Sequence, residues 1–283
     1  MNIAIVGLGL IGGSIALGLK AKLRDIYIIG IPRREETIQE ALALKAIDEG
    51  TTNLKQGAAK ADIIFVCTPI NLVVPIVQEM ADCLKPGTIV TDVASTKAGI
   101  VAQASKLLPK GVFFIGGHPM AGKEKVKLVE AEAALFQDKP WILIRNSKTN
   151  QRALSRVAEL AVQLGGKTME MDAKTHDLAV AGISHTPLAI AAALVNSVQD
   201  APKAQEQMKA CAASGFRDTT RIASGDPVLG VDMFTTNKKA VLEALAGFKK
   251  ALVRLEKLIK AGAADGIEKE LERAKKFRDL LYG

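Results

Sequence analysis

Residues 2–12 read N-I-A-I-V-G-L-G-L-I-G, a β-branched run followed by glycines spaced as G-x-G-x-x-G. The run predicts a buried strand ending at Gly7, and the apolar residues after it predict a helix. Gly7 would allow a tight turn, Gly9 the approach of a pyrophosphate, and Gly12 the packing of helix on sheet. The motif alone is weak, and a ligand-free glycine turn is the alternative, but the strand–turn–helix context predicts a dinucleotide site that includes Leu10 and Ile11.

The second predicted strand ends in G-I-P-R-R-E-E. In dinucleotide-binding folds an acid at this point binds the ribose 2′-hydroxyl of NAD, whereas arginine accommodates the 2′-phosphate of NADP. Pro32 stands where the acid is expected, and Arg33 and Arg34 follow it. We therefore expect NADP to be preferred, with NAD possible. The alternative is that both arginines only begin a solvated helix, neutralised by the two glutamates after them.

Strands alternate with helices as far as residue 171. Further strands are predicted at 62–67, 88–93, 112–116, 141–144 and 167–171. Because these strands are apolar on both faces, they predict a mostly parallel sheet with helices on both sides. We therefore expect an α/β Rossmann-type domain in residues 1–171.

The pattern after residue 171 is helical throughout. Residues 173–198 are apolar nearly all the way round, which is typical of a helix buried in a domain or a subunit interface, and Pro187 should kink it. We expect a second, all-α domain in residues 172–283.

Composition narrows the class of protein. The net charge is +8 over 283 residues, but basic and acidic residues are mostly interleaved, so we expect small anionic ligands rather than nucleic acid. Three separated cysteines without a CxxC pair predict neither a disulfide framework nor a zinc site, and favour the cytoplasm. The apolar N-terminal run has no preceding positive charge and contains five glycines, so we expect neither a signal peptide nor a membrane span.

Polar residues follow several predicted strands, at the edge where ligands of such sheets bind. They are Thr68 with Pro69, Ser95, Lys97, and His118 in the bend G-G-H-P-M-A-G. Thr68 could be only a turn residue, Ser95 only the N-cap of a helix running to about residue 108, and Lys97 only a surface charge. His118 is a candidate general base, and no metal is expected because no second ligand stands at suitable spacing.

Two arginines and two histidines lie in the helical half. Arg217 and Arg221 are four residues apart, so on one helix they would share a face and could bind a dicarboxylate; two ordinary surface arginines are the alternative. His176 and His185 lie on the apolar helix, where histidines are more often satisfied core residues than catalysts.

Six motifs in order resemble the prephenate/arogenate dehydrogenase family of tyrosine biosynthesis. They are G-L-G-L-I-G-G-S, F-V-C-T-P, V-T-D-V-A-S-T-K, G-G-H-P-M-A-G, T-H-D-x-A-V-A-x-I-S-H-T-P and S-G-F-R-D-T-T-R-I-A. The resemblance implies a Rossmann-type domain, a helical domain that forms a homodimer, and NADP- or NAD-dependent oxidative decarboxylation of a cyclohexadienyl acid.

The resemblance also implies roles for individual residues. His118 would accept the proton of the substrate's C4 hydroxyl, and Ser95 would hydrogen-bond that hydroxyl. Arg217 and Arg221 would face the carboxylates, with Arg221 at the ring carboxylate. Lys97 and His185 are further candidate substrate contacts.

Three further features of the sequence concern the substrate and regulation. Leu188 stands where some prephenate-preferring relatives have a histidine, which favours arogenate tolerance. Glu124 is a candidate substrate contact or a helix N-terminal acid. The helical pattern continues to the end of the sequence, so we expect no C-terminal regulatory domain. Two alternatives stay open: a β-hydroxyacid dehydrogenase, and a non-catalytic dimer that senses NADP.

Overall fold

The structure is a computed structural model that describes residues 1–123, 127–201 and 205–283. It divides into two compact units, Met1–Lys238 and Lys239–Gly283. Within the described ranges the strands are β1 (Asn2–Val6), β2 (Tyr27–Ile31), β3 (Glu49–Gly50), β4 (Ile63–Val66), β5 (Ile89–Asp92), β6 (Phe113–Ile115), β7 (Gly117–Pro119), β8 (Pro140–Ile144) and β9 (Lys167–Met171).

The α-helices are named in the same way. They are α1 (Leu10–Lys22), α2 (Glu35–Ala43), α3 (Leu54–Ala58), α4 (Ile70–Met80), α5 (Ala98–Leu107), α6 (Gln151–Gln163), α7 (Ala173–Val180), α8 (Thr186–Gln199), α9 (Gln205–Cys211), α10 (Ser214–Thr220), α11 (Pro227–Thr236), α12 (Lys238–Lys260) and α13 (Ala264–Tyr282).

The main sheet has six parallel strands in the order β3-β2-β1-β4-β5-β6. Its core lies on both faces, because successive strand residues point to opposite sides. Ile3 and Ile5 pack into one apolar cluster, whereas Ala4 and Val6 pack into the other. The strand order reverses between β1 and β4, and ligands of such sheets bind at this point, beyond the carboxyl ends of the strands. The predicted α/β Rossmann-type fold with a helical C-terminal part is confirmed.

A second sheet of three strands, in the order β7-β8-β9, follows the main one. Strand β7 is antiparallel to β8 and places His118 opposite Ile142. The sequence was expected to bend around His118, because glycine and proline flank it. That expectation was wrong: Gly117, His118 and Pro119 form a three-residue strand, and its pairing with β8 fixes the backbone that carries the histidine.

The apolar stretch after residue 172 forms α7 and α8, joined by one π-helical turn at Ala181–His185. The kink expected at Pro187 is replaced by this turn, and Pro187 lies in the first turn of α8, where proline fits. In the described part of the chain, Ala173–Gln199 is the one helical stretch long and apolar enough to span a membrane, with mean hydropathy 1.8. A core helix of a soluble protein has the same length and composition.

The second unit, Lys239–Gly283, contains most of α12 and all of α13. The helices are joined at Gly262, whose φ of +60° suits glycine. Arg254 donates from Nε to Glu270 at 3.0 Å, and Gly266 lies against Leu258, so the pair forms a helical hairpin.

Candidate active site

The turn after β1 accepts only glycine at two positions. Gly7 has φ +91°, and a Cβ atom there would lie 2.6 Å from the carbonyl oxygen of Cys67. A Cβ at Gly12 would lie 2.0 Å from the carbonyl oxygen of Gly7. The chain therefore passes close to β4 and then enters α1 without side chains in the way, as the packing of a dinucleotide-binding turn requires.

The N-terminus of α1 and the end of β4 border the same crevice. Gly9 is the N-cap of α1 without a side-chain cap, and Leu10 and Ile11 begin the helix. Beside Gly7, the buried Thr68 Oγ1 has no hydrogen-bond partner in residues 1–123, 127–201 and 205–283, and Pro69 precedes α4. Free helix N–H groups bind phosphate, and a buried hydroxyl without a partner provides a ligand contact, so these residues fit a dinucleotide.

Arg33 and Arg34 lie directly beyond β2, at the position that discriminates between the two nicotinamide dinucleotides. Both side chains are exposed, and neither forms an ion pair with a residue that the structure describes. Arg34 is the N-cap residue of α2, and its side chain makes no capping bond. Both guanidinium groups are thus available to an anionic ligand.

His118 begins a chain of short contacts between buried side chains. Its Nδ1 lies 2.8 Å from Nε2 of His176, and Nδ1 of His176 lies 2.8 Å from Oδ1 of Asp177. His118 is 7% exposed and His176 is fully buried. Nε2 of His118 makes no hydrogen bond to any described residue. The ring is thus fixed through one nitrogen, and the other is left for a ligand.

Asp177 connects this series of hydrogen bonds to helix α5 of the Rossmann-type part of the molecule. Its two carboxylate oxygens accept from the backbone N–H groups of Lys97 and Ala98, at 2.8 and 2.9 Å, and so cap α5. Ser95 was considered as the N-cap of this helix, but α5 begins at Ala98 and Asp177, far away in sequence, supplies the capping carboxylate. The buried Ser95 Oγ has no hydrogen-bond partner among the described residues, so it could bind a ligand.

Lys97 has partners other than those considered from the sequence. Its side chain is fully buried, and Nζ forms an ion pair with Asp92 and donates to the carbonyl oxygen of Gly117 at 2.9 Å. Asp92 also accepts from the backbone of Gly117 and Ala94. Lys97 is therefore neither a surface charge nor directed at a ligand, because both readings need an accessible ammonium group. It joins the β5–α5 loop to the strand of His118.

His185 ends the π-helical turn and is fully buried. The side-chain amide of Asn237 donates to the backbone carbonyl of Asp177 at 2.7 Å and lies 3.3 Å from Nδ1 of His185. Because an amide NH₂ group only donates, Nδ1 of His185 is the acceptor and its proton lies on Nε2. In the part of the chain that the structure describes, this Nε2 has no partner, so His185 can donate to a ligand.

Burial determines the charge of these groups. Burial lowers the pKa of His118 well below its ordinary value, and neighbouring His176 and Lys97 lower it further. Burial also lowers the pKa of His185, to about 4. Burial acts to raise the pKa of Asp177, but hydrogen bonds from His176 and from the start of α5 outweigh it, and that pKa is lowered. At neutral pH the site therefore holds a carboxylate and neutral rings at His118 and His185.

The free energy of unfolding should fall as the pH drops from about 6.5 to about 4. In this window the unfolded chain protonates His185 and the folded protein does not, so acid favours unfolding. His185 alone contributes a slope approaching about 1.4 kcal/mol per pH unit. Urea titrations across the window measure the slope, and a His185→Gln variant should have a smaller one. Equal slopes in the two proteins would contradict the assignment.

The remaining candidates lie elsewhere or outside the described residues. Arg217 is exposed on α10, and its Nε donates to Asp218 at 3.0 Å. Arg221 is exposed and begins a 3₁₀ turn, so one continuous α-helix does not carry both arginines. Glu124 lies outside the described residues. No cluster of three or more potential metal ligands occurs in the ranges that the structure describes.

Comparison with known proteins identifies the family. Models of the prephenate dehydrogenase nucleotide-binding domain and the prephenate dehydrogenase dimerization domain match residues 15–170 and 172–273. The chain belongs to the prephenate dehydrogenase family. It is 36% identical over 282 residues to a prephenate dehydrogenase of Lactococcus lactis, across 99% of this chain and 77% of the relative.

Two solved structures of this family are similar along the whole chain. The arogenate dehydrogenase of Synechocystis has a TM-score of 0.86 and 36% identity, covering 99% of this chain and 100% of the other. The prephenate dehydrogenase of A. aeolicus, solved with hydroxyphenyl propionate and NAD+, has a TM-score of 0.92 and 32% identity, covering 99% and 98%. The chain is thus an oxidoreductase of this family, which decides against the β-hydroxyacid dehydrogenase alternative.

Sequence reasoning missed His176, Asp177 and Asn237 as parts of the site. His176 was interpreted as a satisfied core residue; it is buried, but its partner is the candidate base His118. One signal was present: the chain has three histidines, and one of them immediately precedes an aspartate near the start of a predicted helix. Asn237 carried no signal, because only the folded chain brings it to His185.

Proposed function

We propose that this prephenate dehydrogenase family member oxidises and decarboxylates prephenate, arogenate or both, with a preference for NADP, as a step of tyrosine biosynthesis. The observation that carries the proposal is the buried His118 ring, held through Nδ1 and with Nε2 available, at the carboxyl edge of a Rossmann-type sheet. Family membership supports the substrate class, since relatives are named prephenate and arogenate dehydrogenases.

The residues around the turn after β1 would hold a nicotinamide dinucleotide, which would supply the acceptor for a hydride from ring C4 of the substrate. Gly7, Gly9 and Gly12 would leave room for the pyrophosphate, the start of α1 at Leu10 and Ile11 would bind it, and Thr68 and Pro69 would border the crevice.

His118 is the proposed catalytic base. Its Nε2 would take the proton of the C4 hydroxyl as the hydride leaves C4, and the unpartnered Ser95 Oγ would hydrogen-bond the same hydroxyl. The bond from the ring to its carboxylate then breaks, carbon dioxide leaves, and the electron pair remains in the ring. The ring becomes aromatic, which makes the overall reaction favourable.

Substrate recognition is proposed to use cationic and neutral donors. Arg221 would bind the ring carboxylate and Arg217 the side-chain carboxylate, since guanidinium binds carboxylate in bidentate geometry. The Nε2–H group of His185 would donate to the substrate. Leu188 in place of a second histidine favours arogenate tolerance, and Glu124 stays a candidate for the side-chain amine.

The helical part, predicted as residues 172–283, is proposed to form a cytoplasmic homodimer. The matching family model is described as a dimerization domain. Exposed apolar side chains in this part, including Ile183, Val228 and Val231, support an interface between two copies. No role in binding nucleic acid or membranes is proposed.

The reaction is tested with four mixtures: purified protein with NADP+ or NAD+, and prephenate or arogenate. Reduced nicotinamide and the aromatic product should form in equal amounts, fastest with NADP+. Absence of turnover in all four mixtures, with dinucleotide binding intact, would overturn the proposal and favour the dinucleotide-sensing dimer.

Changing both Arg33 and Arg34 to Ala should raise the KM for NADP+ and leave the KM for NAD+ nearly unchanged. Each charge-assisted hydrogen bond to the 2′-phosphate is worth about 1.5–3 kcal/mol, so the loss of one such bond alone should raise the KM at least about 10-fold, and the loss of two should raise it further. Steady-state kinetics with both dinucleotides measure the ratio. Arg145→Ala, which removes an exposed charge near the end of β8, is the control, and a parallel loss with both dinucleotides would contradict the assignment.

A further inference from the structure

We infer that His176 and Asp177 are positioning residues that fix the His118 ring in the tautomer with its proton on Nδ1 and a free lone pair on Nε2. The inference deepens the proposed function and rests on it for its catalytic meaning. It assigns a task to two buried residues of α7 that touch neither substrate nor dinucleotide in the proposed mechanism.

Asp177 is the last acceptor in the series of hydrogen bonds that runs from His118 through His176. Its carboxylate receives two backbone N–H groups from the start of α5 in addition to Nδ1 of His176. Hydrogen bonds to the charged form, and the positive end of the α5 dipole, favour an ionised carboxylate. The lowered pKa of Asp177 agrees with this arrangement. An ionised carboxylate has no proton to donate, so Nδ1 of His176 must donate to it.

The next step follows from the 2.8 Å contact between the rings of His176 and His118. At this distance one of the two facing nitrogens donates and the other accepts. If Nδ1 carries the only ring proton of His176, its Nε2 accepts and Nδ1 of His118 is the donor. A neutral His118 has only one N–H group, and its Nε2 is therefore bare.

The contact between the two rings is buried. They meet edge to face, with centroids 5.1 Å apart and planes at 68°. His176 is fully buried and His118 is 7% exposed. When His118 takes the proton from the substrate, the imidazolium ion keeps its bond to His176, and the charge of Asp177 stabilises it through that ring.

Asp177 also influences the tautomer of His185, through Asn237. The backbone carbonyl of Asp177 accepts from Asn237, whose amide also faces Nδ1 of His185. His185 then has its proton on Nε2, the reverse of the tautomer inferred for His118. One residue thus organises an acceptor at His118 and a donor at His185, which are the two functions that a substrate with a hydroxyl donor and carboxylate acceptors needs.

The tautomers can be measured without substrate, by ¹⁵N NMR of protein labelled in its histidine rings. The chain has only three histidines, so the six ring nitrogens can be assigned with His118→Asn and His176→Gln variants. We expect protonated Nδ1 and bare Nε2 at both His118 and His176 near neutral pH, and protonated Nε2 at His185. A proton on Nε2 of His118, or a doubly protonated His176, would overturn the inference.

Two substitutions of His176 connect the tautomer to the rate. His176→Phe keeps the ring shape but leaves Nδ1 of His118 without an acceptor, so kcat should fall roughly 10²-fold while dinucleotide affinity and KM change little. His176→Gln supplies a carbonyl to His118 and an amide N–H to Asp177, and should retain most of the wild-type kcat. Equal kcat values in these two variants would contradict the positioning role.

The two experiments separate failure of the inference from failure of the proposed function. If neither prephenate nor arogenate is turned over, the proposed function fails, and the NMR spectrum still decides the tautomers. If turnover is normal and Nε2 of His118 carries the proton, the function stands and the inference is wrong. A His176→Phe protein that does not fold leaves the spectrum of the wild-type protein as the deciding measurement.

Discussion

Replacing His118 with Asn should lower kcat by about 10²–10⁴-fold, the usual contribution of a general base. The side-chain amide of Asn reaches the position of Nδ1 and can still donate to His176, so the buried contact survives. The group that is lost is Nε2, which takes the substrate proton in the proposed mechanism. Single-turnover and steady-state rates with saturating NADP+ measure the loss.

The control for this variant is dinucleotide binding, measured by calorimetry. Affinity for NADP+ should be unchanged, because His118 lies on β7 and the proposed pyrophosphate contacts lie after β1. A near-normal kcat in the variant would remove His118 from the mechanism. A large loss of dinucleotide affinity would mean that the substitution has disturbed the fold instead.

The pH dependence of the wild-type enzyme gives a second test of the same residue. The basic form of His118 is required, and burial holds its pKa well below 6.5, so kcat/KM should fall only as the pH drops below about 6.5. In the variant this acid limb should disappear. An acid limb centred above pH 7 would identify a different group.

Local patterns predicted most of the fold. The run at 2–6 was predicted within its observed bounds, because buried strands of a parallel sheet are continuous apolar or β-branched segments. The run K-T-M-E-M at 167–171 was also predicted within its bounds, although β9 is mostly exposed. The two-residue β3 and the five-residue α3 were missed, since elements so short have no period to detect. The strand of His118 was missed because its glycines signal a turn.

The site was only partly predictable, because its contacts join residues distant in sequence. Gly7, Gly12 and Thr68 follow strands of the parallel sheet, and the carboxyl ends of such strands meet at one edge whatever the details of packing. Asp177 caps a helix that begins almost eighty residues earlier, and Asn237 reaches His185 across fifty-two residues. No periodicity or local motif specifies such pairs.

Lys97 shows that a residue can be placed correctly from the sequence while its role is not. The motif D-V-A-S-T-K placed it at the ligand edge, and a charged residue there was expected to bind substrate or lie at the surface. The ion pair with Asp92, five residues earlier, buries both charges completely. Burial acts to lower the pKa of the Lys97 ammonium group, and the carboxylate of Asp92 opposes this. Because Lys97 donates to the carbonyl oxygen of Gly117 and Asp92 accepts from its N–H group, the buried pair holds the strand of His118 in place.

Replacing Lys97 with Met should destabilise the folded protein by about 3–5 kcal/mol, because it leaves Asp92 as a buried carboxylate without its cation. Gly117 would also lose the donor to its carbonyl oxygen, so β7 should shift and kcat should fall. Urea unfolding at pH 7 measures the stability change. A direct substrate contact would instead raise KM and leave the free energy of unfolding unchanged.

The compensating variant decides whether the buried charge is the cause. Adding Asp92→Asn to Lys97→Met removes the unpaired carboxylate and keeps one amide oxygen, which can accept from Ala94 or Gly117 but not from both, so part of the lost stability should return. Lys20→Met is the matched control, because Lys20 pairs with Asp48 at the surface and should cost only about 0.2–1 kcal/mol. If the double variant is less stable than the single one, the cost of Lys97→Met arises from lost packing, since neutralising Asp92 would then bring no gain.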